Sequence, residues 1–176
     1  AAPPAAPAQK ALGFNAVAKN LTDTITVAAG YTSTTLYRTG DPIATGLAAY
    51  TNDGTDTNME QRSGDCHDGI EYFGLNAAGT ARDPLGSTRG LLAMNHEYMV
   101  QNWLHPNGPT AGVRVKAEVD KEVAVHGCAV IEVSKGADGK WTYPVGSTYN
   151  RRITPTTTME LSGPLRGSAA MKTRFS

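Results

Sequence analysis

Punctuation constrains this sequence more than any other feature. Nineteen glycines and ten prolines are scattered through 176 residues, and each tends to end or bend a regular element. Aromatic residues make up only 7% of the chain. The runs between turn signals are short and rich in Thr, Val, Ile and Tyr, which suit pleated strands better than a helical bundle. The composition therefore predicts a mainly β fold with long loops and one or two short helices. The rhythm of strand and turn is even, as in blade-like architectures, although no repeat of fixed period is present.

Individual runs can be placed. Lys10–Asn20 fits a short helix or an ordered coil. Asp23–Val27 and Tyr31–Arg38 alternate large and polar residues about an Ala28-Ala29-Gly30 turn, which predicts a strand pair. Ala44–Gly64 reads as a solvated loop, and its acids Asp53, Asp56 and Glu60 lack the spacing of a calcium-binding EF-hand loop. Asp65–Leu75 places Asp65, His67 and Asp68 before a strand. Leu91–Met94 is a short apolar strand that delivers Asn95, His96 and Glu97. Asn95 and Glu97 share a face by alternation, and His96 points away as a structural group. Thr110–Val125 is the best helix candidate and Gly127 its stop. Cys128–Val133 follows as a buried strand, Ser134–Gly139 as a hairpin turn and Lys140–Pro144 as its partner.

The charge balance is neutral, with 16 basic and 16 acidic residues, so the chain carries no electrostatic footprint for nucleic acid. No apolar run reaches the roughly 20 residues that span a bilayer. Residues 1–11 are Ala/Pro-rich, which reads as a disordered or polyproline-like lead, either an ordinary terminus or the start left after removal of a signal peptide. Cys66 and Cys128 leave two readings open. In an oxidising compartment they form a disulfide, contributing ~3–4 kcal/mol. Otherwise they are two separate thiols.

The chemistry is concentrated in Tyr149–Gly167, YNRRITPTTTMELSGPLRG, where Arg151, Arg152 and Arg166 stand among neutral residues. A guanidinium is always charged, and its fork of donors fits phosphate or carboxylate. Glycines bracket Arg166, so a tight loop should present it. The plain alternative is three surface arginines paired with nearby carboxylates. Elsewhere the chain has no Gly-x-Ser-x-Gly elbow, phosphate-binding loop or His-Glu-x-x-His, and its four histidines lack zinc spacing.

The stretch YNRRIT with M.L.GP..G resembles a signature of the PhoX-type alkaline phosphatases. DCHDGIEYFGL (65–75), RGLLAMNHEY (89–98) and HGCAVIEV (126–133) fit the same family in the same order. The resemblance runs from Leu12 to the last residue. It implies the amino-terminal part of a single β-propeller-like catalytic domain, over 12–176, in an exported, periplasmic or secreted bacterial phosphomonoesterase that carries calcium and iron. It implies too that the family's iron-binding cysteine and most metal-binding carboxylates lie outside this chain, so a partner, or the rest of the polypeptide, completes the site and this chain alone is inactive. Arg166 falls at the position of a phosphate-binding arginine. Arg151 and Arg152 match the signature. Asp68, Asn95 and Glu97 are carried as metal-site or site-lining groups. Two alternatives from other classes are a non-catalytic structural module of an extracellular assembly and a calcium-stabilised binding propeller.

Overall fold

The structure, a computed structural model, describes residues 13–172. The Ala/Pro lead expected at 1–11 lies outside them. The chain divides into two compact units at Thr35/Leu36.

In the first unit, the expected strand pair over 23–38 does not form. The described residues to Thr35 contain no strand or helix. The turn itself is present, and Tyr31 N–H donates to Ala28 O at 3.0 Å. The Phe14 and Tyr31 rings meet edge to face, 5.6 Å apart. Ile25 is 77% exposed. Alternation suits a strand, but burying one face takes a neighbouring sheet, and Ile25 packs against none.

The second unit is built on one antiparallel sheet. Its strands are β1 (His67–Gly74), β2 (Arg89–His96), β3 (Gly127–Lys135), β4 (Trp141–Thr142) and β5 (Arg151–Ile153). Strands β1, β2 and β3 lie side by side, and β4 and β5 pair with opposite ends of β3. The expected strands at 65–75, 91–94, 128–133 and 140–144 are all found, with shifted ends. The sheet is mainly β and open, in keeping with a piece of a propeller. Short helices α1 (Gln101–Leu104) and α2 (Lys116–Val125) join β2 to β3. Helix α2 starts later than Thr110, because Gly112 takes φ +74° and the β-branched Val113 and Val115 follow. Glu118 instead reaches back to Thr110 and Arg114.

Two apolar clusters hold the unit. Under the sheet, Tyr37, Ile43, Met94, Ala129, Ile131 and Val133 pack with Leu92, Tyr72 and Trp141. Ile131 and Val133 are almost fully buried, each worth about 1.5–3 kcal/mol. Met59, Met99, Leu104 and Val125 form the second cluster, around α2. Residues 44–64 are more ordered than a solvated loop. Met59 is buried, Asp56 accepts from Thr51 N and Asn52 N at 3.0 and 3.1 Å, and the Arg62 guanidinium ties Thr57 O, Gly40 O and Ala48 O together.

Candidate functional site

Register sorts the predicted site residues onto the two faces of the sheet. Side chains paired across a ladder share a face, and sequence neighbours oppose. One row runs Asp68, Asn95, Cys128, Ile153 from β1 to β5, and the next runs Glu71, Ala93, Val130, Arg151. A bulge between Asp68 and Glu71 keeps both on this face, and Gly69 at φ +55° makes the bend. Glu97 continues the face beyond Asn95, and its N–H donates to Cys66 O at 3.1 Å. The structure therefore brings Asn95 and Glu97 to one exposed face, as the alternation argument requires, and register adds Asp68 at the same end. Glu71 and Arg151 share that face. Glu71 is the residue that sequence reasoning missed, since only a bulge at Asp68-Gly69 puts it beside the others.

This face carries unspent capacity. Among the described residues, no hydrogen bond or ion pair engages the side chains of Asp68, Glu71, Asn95 or Glu97. Arg151 donates to Thr148 O and Asn150 O at 2.6 and 2.8 Å. Carboxylate and amide oxygens suit a hard cation. However, no three His, Cys, Asp or Glu side chains come together as a metal-ligand group among the described residues. The described donor set on its own does not fit an iron or calcium centre.

The opposite face holds His67, His96 and Arg152. His96 is 2% exposed, and its Nε2 accepts from Gly64 N–H at 3.4 Å. Burial above all, helped by the nearby Arg152 charge, lowers its pKa to about 3. The structural role expected for His96 is the one it has. Arg152 was expected at the anion site, but its guanidinium is occupied elsewhere. Nη1 donates to Cys128 O at 3.0 Å, and Nη2 donates to Ala124 O and His126 O at 2.7 and 3.2 Å. The cation satisfies carbonyls at the carboxyl end of α2 that the helix leaves unpaired, and it ties that end to β3.

Arg166 sits on a tight turn between Gly163 and Gly167, with its N–H donating to Gly163 O at 3.1 Å. The loop was foreseen. Its guanidinium is exposed and paired with Glu160 at 2.5 Å, and it lines none of the four main cavities. Among the described residues, no side-chain hydrogen bond or ion pair joins it to another predicted site residue.

Of the two readings left open for the cysteines, the structure has the separate thiols. Cys66 and Cys128 are both free. Cys66 leads into β1 and Cys128 is in β3, with β2 between them. Two strand spacings are about 10 Å, beyond the ~7 Å between Cα atoms that a disulfide can bridge.

Among the described residues no helix is long and apolar enough to cross a membrane. No curated protein sequence matches the chain. A solved structure, Pseudomonas fluorescens PhoX in complex with vanadate, a transition state analogue, superposes with a TM-score of 0.78 at 34% identity, over 93% of this chain and 27% of that one. The chain thus spans about a quarter of that relative's length. A family model described as alkaline phosphatase PhoX matches residues 12–176, and by that match the chain belongs to the PhoX alkaline phosphatase family.

Proposed function

We propose that this chain is the amino-terminal part of an exported, metal-dependent phosphatase that hydrolyses phosphomonoesters in the periplasm or outside the cell. The observation that carries this reading is the match over 93% of the chain to a PhoX structure holding vanadate. Vanadate there is a transition-state analogue, so that relative's site is shaped for a transferring phosphoryl group.

Within this chain, Arg166 is the phosphate-binding residue. It is presented by a tight turn, and its one ion-pair partner among the described residues, Glu160, is exposed. Exchanging an exposed carboxylate for a phosphate costs little. Arg151 is the second candidate, because it shares the exposed face with Asp68, Asn95 and Glu97. Those three offer oxygen donors at the rim of a calcium site whose remaining ligands lie outside these 176 residues. Iron finds no ligand set among the described residues, and its ligands are assigned to the remainder of the enzyme.

The test is p-nitrophenyl phosphate turnover by the complete enzyme, with and without chelator, and by Arg166→Ala. We expect chelator-sensitive turnover and a loss of about 10²–10³-fold in kcat/KM for the variant, with an unchanged unfolding midpoint. Wild-type kinetics in Arg166→Ala would remove Arg166 from the site. Absence of turnover in the complete enzyme would remove the phosphatase reading.

One observation favours a second reading for the chain in isolation. Without a metal-ligand group of its own among the described residues, it serves as a structural part that a partner completes. The purified 176-residue chain should then show no turnover by itself.

A further inference from the structure

A cavity of about 330 Å³ lies beside α1, within the second unit. That volume is at the small end of the roughly 300–1,000 Å³ of ligand sites. Its apolar lining is Met99, Leu104 and Val125, from the cluster around α2. Two aromatic side chains, Tyr50 and Trp103, line it as well. Gly40 makes room for the first. A Cβ on Gly40 would stand 2.2–2.5 Å from Tyr50 Cγ, Cδ2 and Cδ1, so only glycine lets that ring lie with one face on the backbone. Trp103 is 66% exposed, and its indole N–H makes no hydrogen bond among the described residues. A large ring that the fold does not bury is available to a ligand.

The charges of the same cavity do not balance. Arg38, Asp41 and Asp65 line it. Arg38 and Asp41 cancel, because Asp41 accepts from Arg38 N, Nε and Nη2 at 2.8, 3.3 and 3.1 Å. Asp65 is half-buried and has only neutral partners. Its Oδ1 accepts from Thr39 Oγ1 and Cys66 N–H at 3.0 and 2.9 Å, and its Oδ2 accepts from Val100 N–H at 2.9 Å. No ion pair engages Asp65 among the described residues. Arg62, the other arginine near Tyr50, is spent on three carbonyls. A carboxylate accepts about four hydrogen bonds, so Oδ2 can take one more donor.

We propose that this cavity binds a small organic ammonium ion, a free amine carrying a compact hydrocarbon body. An anion would meet the Asp65 charge and find Arg38 already neutralised. A neutral molecule would displace water from Asp65 and leave its charge uncompensated, which is costly. A hard metal ion needs several oxygen ligands, and no three acidic, histidine or cysteine side chains come together among the described residues. An ammonium meets each demand at once. Its N–H donates to Asp65 Oδ2, its charge is attracted by the rings of Tyr50 and Trp103, and its hydrocarbon part covers Met99, Leu104 and Val125.

The test titrates the full-length protein, by calorimetry at constant ionic strength, with three probes of one shape and different charge: benzylammonium, benzyl alcohol and benzoate. Benzylammonium should bind about tenfold more tightly than benzyl alcohol, and benzoate should not bind. Trp103→Ala alters an exposed side chain and keeps the fold, and it should weaken benzylammonium about fivefold. Asp65→Asn should leave benzylammonium and benzyl alcohol alike. That variant also loses the bond from Val100 N–H, so if it fails to fold the charge series and Trp103→Ala decide. Equal affinity for the three probes, benzylammonium binding untouched by Trp103→Ala, or a crystal structure of the full-length protein with a lysine or arginine of the remainder on Asp65 would each overturn the proposal.

Discussion

The adjacent arginines of the NRRIT stretch should fail in different ways. Arg152 makes three charged hydrogen bonds to Ala124 O, His126 O and Cys128 O. The compact ammonium of Arg152→Lys keeps the charge but can reach about one of these carbonyls. Two bonds to a charged donor are lost, at roughly 1.5 kcal/mol each, so stability should fall by about 3 kcal/mol. That is a large share of the 5–15 kcal/mol typical of a folded domain. Arg151 is exposed and bonds only to nearby backbone, Thr148 O and Asn150 O. Arg151→Lys should change stability by less than ~0.5 kcal/mol. Urea unfolding of both variants, compared through their midpoints at a common slope, reads the difference. Equal midpoints would refute the assignment of Arg152 as a structural clamp. So would an Arg152→Lys protein of native stability that had lost phosphatase turnover, because the guanidinium would then belong to the site.

Two further perturbations probe the same region. His96 has a pKa near 3 when folded and about 6.5 when unfolded. The unfolded chain therefore takes up a proton first as pH falls, and stability is lost downward from pH 6.5 at about 1.4 kcal/mol per pH unit. Burial lowers His67 as well, adding to the slope. Urea midpoints at pH 6.5, 5.5 and 5.0, above the range where carboxylates titrate, should fall in step, and a flat profile there would contradict the buried neutral ring. Gly127→Ala should be severe, since an added Cβ meets Ile153 O at 2.0 Å and the backbone stands at φ +108°. We expect a loss of roughly 3 kcal/mol or more, read as lost soluble yield or a lowered midpoint, and native stability would show that β5 is not held against β3 as described.

How much of this could be read from the sequence depends on whether the information was local. Strand β3 and its hairpin were legible because CAVIEV is apolar on both sides and SKGADG turns it back. Helix α2 was legible in Lys116–Val125, where strong helix formers dominate, and overread toward Thr110, where Gly112 breaks the run. The strand pair at 23–38 was misread because alternation describes a strand's own two faces and says nothing of a neighbour to bury one. The cysteine question stayed open in the sequence for the same reason. Its geometry was decided by β2, which lies between the two cysteines in space, and no feature near Cys66 or Cys128 announces that.

The arginine pair shows what this implies for the site. Two neighbouring residues of a strand must face opposite ways, so Arg151 and Arg152 cannot do the same work once β5 is paired in register with β3. Sequence supplies the pair, and only the register tells which member is consumed by the backbone and which remains on the face that carries Asp68, Asn95 and Glu97. A one-residue slip of β5 would exchange them, placing Arg151 under the sheet and Arg152 on the exposed face. The clash of any side chain at Gly127 with Ile153 O is one lock on that register, and the three carbonyls gripped by Arg152 are another. The signature therefore fixes a fold and presents a charge at once. Substitutions that loosen β5 should impair the exposed face without touching any of its residues.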